Sequence, residues 1–166
     1  MLLSDLDHAQ AYAEKGYRLG NDEYTTSVAA YVQSLRGEHE RAAALYREAV
    51  EKNPGYIPAR FNLAVEYLEG KKYREGLDIL TELDRTFGDV KDLMRSKILN
   101  NMGYALWWLG DRDQAADRFR QALAVTPDFP DAKKNLELIS LGRSPETAAK
   151  QSSQTAPSQQ FLNQPE

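Results

Sequence analysis

Two stretches of this chain, RGEHERAAALYREAVEKNP at residues 36–54 and LGDRDQAADRFRQALAVTP at residues 109–127, carry small, aromatic and chain-breaking residues in the same order. Gly37 answers Gly110, Ala42 answers Ala115, Tyr46 answers Phe119, Ala49 answers Ala122 and Pro54 answers Pro127, and one interval separates every pair. Self-similarity of this kind constrains the fold strongly, because a repeated unit buries its apolar face only by stacking on its neighbours. The interval equals two periods of about 34 residues with five left over. Between the two stretches, ARFNLAVEYLEGKKYREGLDILTEL at residues 59–83 supplies the missing unit, with Leu63 answering Met102 and Ala64 answering Gly103, one period plus the same surplus further on. The five extra residues are therefore expected in the loop around residues 86–94.

Each unit reads as a helical hairpin. Ala42 and Ala49, like Ala115 and Ala122, stand seven apart and let two helices approach closely, while Gly37 and Gly110 open tight turns between antiparallel helices. Pro54 and Pro127 stop the second helix and restrict the residue before them. The pattern predicts helices at about 4–19, 22–36, 38–52, 57–69, 72–86, 92–109, 111–125 and 129–140, and no strand.

A period of about 34 residues, small residues where two helices touch, an aromatic on the second helix and a closing proline resemble the tetratricopeptide repeat family. The resemblance runs from about Glu23 to Phe129 and is most complete in the third unit, with Gly103, Gly110, Ala115, Phe119, Ala122 and Pro127 in place. The first unit departs from it in its first helix, at Thr26, Ala29 and Ala30, and the middle unit has Gly76 where Ala is usual and no closing proline. The resemblance implies an all-α, right-handed superhelical solenoid of antiparallel helix pairs, whose first helices line a concave surface. Three such units are expected, at residues 22–56, 57–95 and 96–129, the middle one with a longer connecting loop.

Residues 1–21 are expected to form a flanking helix, with a Ser4-x-x-Asp7 pair resembling a capping box and Leu6, Ala9, Ala13 and Leu19 near one face. Tyr12 precedes Tyr46 by one repeat period. Residues 130–141 repeat the opening of a first helix with a polar outer face, as a terminal cap does. Residues 142–166 are rich in Ser, Gln, Thr and Pro and lack apolar periodicity, the composition of a disordered tail, in which Phe161–Leu162 reads as an incidental apolar pair.

Both tryptophans of the chain stand side by side, as Trp107 and Trp108. Neighbours on a helix point about 100° apart, so the two cannot share one core. In the resemblance's register the third unit starts at Ser96, and its concave positions hold Lys97, Asn100, Tyr104, Trp107 and Trp108, while Leu99, Met102, Gly103 and Leu106 form the packing stripe. The first unit offers Tyr24, Ser27 and Tyr31, with Ser34 and Leu35, and the second offers Phe61, Val65 and Leu68, with Pro58 and Glu69. An exposed apolar run of Tyr24, Tyr31, Phe61, Val65, Leu68, Tyr104 and Trp107 is expected to mark a binding surface. Asn62 and Asn101, at the same place in their units, are expected to pair with the backbone of a bound segment. In family members that grip a C-terminal carboxylate, the gripping places correspond here to Ser27, Tyr31, Asn62, Lys97 and Asn101. Two of those five match, so no such clamp is expected.

No catalytic constellation emerges. His8 and His39 lack a neighbouring nucleophile or ligand set, and His39 in GEHERA reads as a solvated histidine at a helix start. Phosphate loops, nucleophile elbows and zinc-protease motifs are absent, and no cofactor or metal is expected. Cysteine is absent, which excludes disulfides and thiolate chemistry. A net charge of −4 with dispersed basic residues argues against nucleic acid. No apolar run reaches the roughly 18 residues that span a bilayer. MLLSDLDHAQ does not read as a secretory signal, so the expected compartment is cytoplasmic, or periplasmic with a signal outside this chain. The reading is a non-catalytic protein-interaction module that holds a peptide or helical segment of a partner, as adaptor, scaffold or assembly chaperone. The alternative is a structural repeat protein that self-associates, or a piece of a longer array. Because Ala115 lies where helices touch, Ala115→Leu should overpack the third hairpin and lower stability in denaturant unfolding by about 1–3 kcal/mol; an unchanged midpoint would refute this register.

Overall fold

The structure, a computed structural model, describes residues 3–88 and 92–146, with side chains from residue 7 onward. Among the described residues it is all α-helical, with no strand. The chain divides into two compact units at the Gly70–Lys71 turn, inside the middle repeat. The first holds α1 (Leu3–Gly20), α2 (Glu23–Leu35), α3 (His39–Lys52) and α4 (Ile57–Glu69); the second holds α5 (Tyr73–Phe87), α6 (Leu93–Trp108), α7 (Arg112–Val125) and α8 (Pro130–Ser140). Every expected helix is present, its ends within one residue of the expected ones.

In the first unit, α2 packs between α1 and α3, and α3 packs on α4. Ala30, Ala42, Tyr46 and Ala49 have no exposed surface. Ala9, Ala13 and Tyr17 of α1 pack with Val28, Ala29 and Val32 of α2 and Leu45 of α3. The Tyr17 hydroxyl donates to Glu48 at 2.9 Å, and the Lys52 ammonium sits 5.3 Å from the Tyr17 ring. Leu19, expected near one face with Leu6, Ala9 and Ala13, is instead exposed, since α1 turns the 9–13–17 stripe toward α2. The Ser4 side chain lies outside the described residues, and Asp7 accepts from Arg36 at 2.9 Å. The side-chain capping box belongs to α2. Asp22 accepts from the Thr25 N–H at 2.7 Å while the Asp22 N–H donates to Thr25 Oγ1 at 3.2 Å. That Thr25 N–H holds the Asp22 carboxyl below the usual carboxylate range.

In the second unit, α6 is flanked by α5 and α7, with α8 packed on α7. Leu99, Met102 and Leu106 are buried as the expected stripe. A Cβ on Gly103 would lie 2.6 Å from Phe119 Cε1, so only glycine admits this aromatic. The five extra residues are not all loop. Ser96 answers Glu23, the first residue of α2, yet α6 begins at Leu93, so Leu93–Arg95 add a turn capped by Asp92, which accepts from the Arg95 N–H at 2.8 Å. The middle repeat's missing proline is replaced by Gly88 at φ 55, ψ −122, where α5 stops. Residues 142–146, expected to begin the disordered tail, continue the cap. Arg112 donates to Ile139 O at 2.9 Å, and the Arg143 N–H reaches Leu138 O at 3.1 Å. Phe161 and Leu162 lie outside the described residues.

The turns obey one geometric rule. After α2, α6 and α8 the residue with positive φ is Gly37 (76°), Gly110 (94°) or Gly142 (72°), and the next N–H bonds back to Gln33, Leu106 or Leu138, the Schellman closure. After α4 that place falls to Lys71, at φ 60. A left-handed side-chain-bearing residue costs about 1–2 kcal/mol, and glycine's extra unfolded entropy offsets about 0.4–1 kcal/mol of what replacement would recover. Lys71→Gly should therefore stabilise the chain by about 0.5–1 kcal/mol in urea unfolding; a loss of stability would show that the lysine side chain holds the turn.

Candidate functional site

The inner row of the first unit begins on α2, whose start is set by the Asp22 cap. Tyr24 is 45 % exposed, Tyr31 is half-buried, and Ser27 is buried with no hydrogen-bond partner for its Oγ among the described residues. On α4, Phe61, Asn62, Val65 and Leu68 are all buried. The Asn62 amide donates to the Tyr46 hydroxyl at 3.2 Å, so part of its hydrogen-bonding capacity serves the fold. Burial pushes the Tyr46 phenol well above its ordinary range, which keeps the hydroxyl neutral.

His39 corrects the sequence reading. Its Nδ1 lies 2.8 Å from Glu66 Oε2, and the Glu66 side chain is wholly buried. The histidine, its side chain still 40 % exposed, reaches a buried carboxylate on α4 and is not only a solvated group. Its partner is 27 residues away, beyond the reach of any local pattern.

The row of the second unit lies on α6. Lys97 is half-buried, and Asn100, Asn101, Tyr104 and Trp107 are buried, Trp107 at 1 % exposure. Asn100 Oδ1 accepts from Asn135 Nδ2 of α8 at 3.1 Å, and Asn100 Nδ2 lies 3.4 Å from Asn101 Oδ1. Trp108 is half-buried. It stacks on Tyr73 of α5, with ring centroids 5.1 Å apart and planes 10° from parallel, and meets Tyr104 edge-on at 6.3 Å. The two tryptophans thus diverge as helix geometry requires. The indole N–H groups of both are buried without a hydrogen-bond acceptor among the described residues.

The expected run of exposed apolar side chains is corrected. Tyr24 is exposed and Tyr31 half-buried, but Phe61, Val65, Leu68, Tyr104 and Trp107 have left water, as large apolar groups do wherever neighbours can cover them. Sequence reasoning missed Tyr73, Glu66 and Asn135. Asn135 was detectable, because Asn62, Asn101 and Asn135 recur at the spacings of the repeat itself.

Among the described residues no group of three or more His, Cys, Asp or Glu could hold a metal, and no helix is long and apolar enough to cross a membrane. Paired helices closed by the same turn, with polar and aromatic side chains on their first helices, define a helical-repeat protein. Tetratricopeptide repeats match residues 35–96 and 98–133, and the chain belongs to the tetratricopeptide repeat family of protein-interaction modules, whose fold typically binds rather than catalyses. It resembles the solved structure of MamA, residue 41 to the end, from Desulfovibrio magneticus RS-1, with a TM-score of 0.73 at 14 % identity over 90 % of this chain and 83 % of that one. PilF of Pseudomonas aeruginosa is also similar, with a TM-score of 0.65 at 20 % identity over 95 % and 80 %. At these identities the likeness shows the fold, a solenoid of helix pairs. Human protein arginine N-methyltransferase 9 is 35 % identical over 69 residues, which are 39 % of this chain and 8 % of that protein. This chain therefore matches less than a tenth of that relative's length.

The Glu66 carboxylate is the most deeply buried charge-bearing group of the first unit. His39→Ala should lower stability in denaturant unfolding by about 0.5–1.5 kcal/mol, the net worth of one hydrogen bond between a half-exposed imidazole and a buried carboxylate; an unchanged midpoint would show that the 2.8 Å contact contributes nothing to the fold.

Proposed function

We propose that this chain is a non-catalytic interaction module that takes a peptide or helical segment of a partner protein on its inner helices. Of the expected rows, Tyr24 and Tyr31 on α2 and Lys97 and Trp108 on α6 keep surface with which to touch the segment, while Ser27 on α2, Phe61, Asn62, Val65 and Leu68 on α4, and Asn100, Asn101, Tyr104 and Trp107 on α6 are buried behind such positions and would support them. The observation that carries the reading is the pair of buried indole N–H groups on α6 without an acceptor among the described residues. A buried donor left unsatisfied costs about 1–3 kcal/mol. At the half-buried Trp108 a backbone carbonyl of a bound segment would remove that cost, and the aromatic bodies around it would supply apolar contact. Family membership supports the same reading, and the role is that of adaptor, scaffold or assembly chaperone.

The chain's only tryptophans stand in this row, so intrinsic emission reports on α6 directly. Peptides selected from a random displayed library on the immobilised chain should shift that emission on titration. Trp108→Phe keeps a ring against Tyr73 and removes the N–H of the half-buried indole, so it should weaken the selected peptides about tenfold, or about 1.4 kcal/mol, whereas Trp107→Phe shrinks a side chain that is 1 % exposed and should chiefly lower stability. Failure of any peptide to be enriched, or equal affinity for wild type and Trp108→Phe, would overturn the proposal.

A further inference from the structure

The face of α1 that corresponds to the buried face of α3 is uncovered. His8, Tyr12 and Lys15 stand one repeat period before Ala42, Tyr46 and Ala49. On α3 those three are fully buried, whereas His8 and Lys15 are exposed and Tyr12 is 76 % exposed. Leu19 extends the same row at 77 % exposure. The spacing 8, 12, 15, 19 is a stripe of about three turns of the kind that seats one helix on another. Meanwhile Ala9, Ala13 and Tyr17 already hold α1 to α2, so the open stripe is not needed to keep the helix in place.

We propose that this stripe is a contact between two copies of the chain, α1 packing antiparallel on α1 of the second copy about a two-fold axis between Tyr12 and Lys15. Charge selects the arrangement. Asp7, which stays 71 % exposed while accepting from Arg36, lies toward one end of the exposed surface, and Lys15 and Arg18, the latter 3.9 Å from Glu14 and 78 % exposed, lie toward the other. Antiparallel pairing brings Asp7 toward the partner's Arg18 and lays Tyr12 on the aliphatic stem of the partner's Lys15, while parallel pairing sets like charges together. A head-to-tail contact is disfavoured. The equivalent open face on α8 sets one half-buried apolar residue, Leu136, among Lys133, Glu137 and Ser140, which are exposed and polar, and Glu137 occupies the place where Gly103 admits Phe119. The contact is isologous and closes at two copies. One helix face belongs at the small end of specific interfaces, below about 1,200 Å² in all, so the dimer forms weakly and with rising concentration.

Sedimentation equilibrium of the full chain, from about 10 µM to about 1 mM, should show the weight-average mass rising from 18.8 kDa toward twice that value. The double variant Tyr12→Glu, Leu19→Lys changes only exposed side chains and should keep the wild-type thermal midpoint. Its dissociation constant should rise at least about thirtyfold. Since the chain has no cysteine, Lys15→Cys near the axis should form a disulfide-linked dimer on mild oxidation, and Glu51→Cys on the exposed side of α3 should not. A mass fixed at one chain throughout, growth beyond two copies, or a dimer undiminished in the double variant would overturn the proposal.

Discussion

The fold depends on how closely the two helices of a hairpin approach. Gly103 against the Phe119 ring leaves no room for a single added carbon, and Ala42, Ala49, Ala115 and Ala122 have no exposed surface at all. Small residues at these places let an aromatic from the second helix lie against the first helix's backbone, as Phe119 does. The apolar area buried there offsets the entropy of ordering helices of 11 to 18 residues, most of which would be marginal alone. In the first unit Tyr46 occupies the corresponding place and adds a hydroxyl, which Asn62 of the next helix uses. One contact thereby serves both hairpin closure and stacking.

Turn chemistry enforces the same geometry from outside. A helix that must reverse within three residues needs one residue with positive φ, and glycine supplies it after α2, α6 and α8. The middle repeat departs twice, with Lys71 in the left-handed place and Gly88 standing in for the missing proline. Both departures flank α5, the helix in which Gly76 also replaces the usual alanine. Tolerance of such local cost indicates that the packing of α4 on α3 and of α5 on α6, more than turn preference, holds these helices.

The inner helices carry more polar chemistry than packing requires. Asn62, Asn100, Asn101 and Asn135 are buried amides, and Glu66 is a buried carboxylate met by His39. Such groups are costly in an apolar interior unless bonded, so each directs a specific pairing of helices. Asn135 ties α8 to α6, and His39 ties α3 to α4. The acceptor-less indoles of Trp107 and Trp108 are the contrasting case, donors present with no protein group described to meet them.

Helix positions, turn places and close-contact residues were legible in the sequence because each is a local matter. Period 3.6, a glycine after the last turn and an extended residue before proline act within a few residues of themselves, and the repeat displays each of them more than once. Even the extra turn of α6 left a trace as a five-residue surplus, although only the folded chain divided that surplus between helix and loop. What the tertiary structure alone decided is which side chains meet and which remain in water. Tyr12 and Tyr46 hold the same place in the repeat, yet one is exposed and the other fully buried. Trp107 and Trp108 are adjacent, yet one is buried and the other is stacked on Tyr73 of the preceding helix. A residue's type sets what its burial is worth, but the neighbour that removes its water comes from a distant turn of the chain, and no local pattern carries that neighbour's identity.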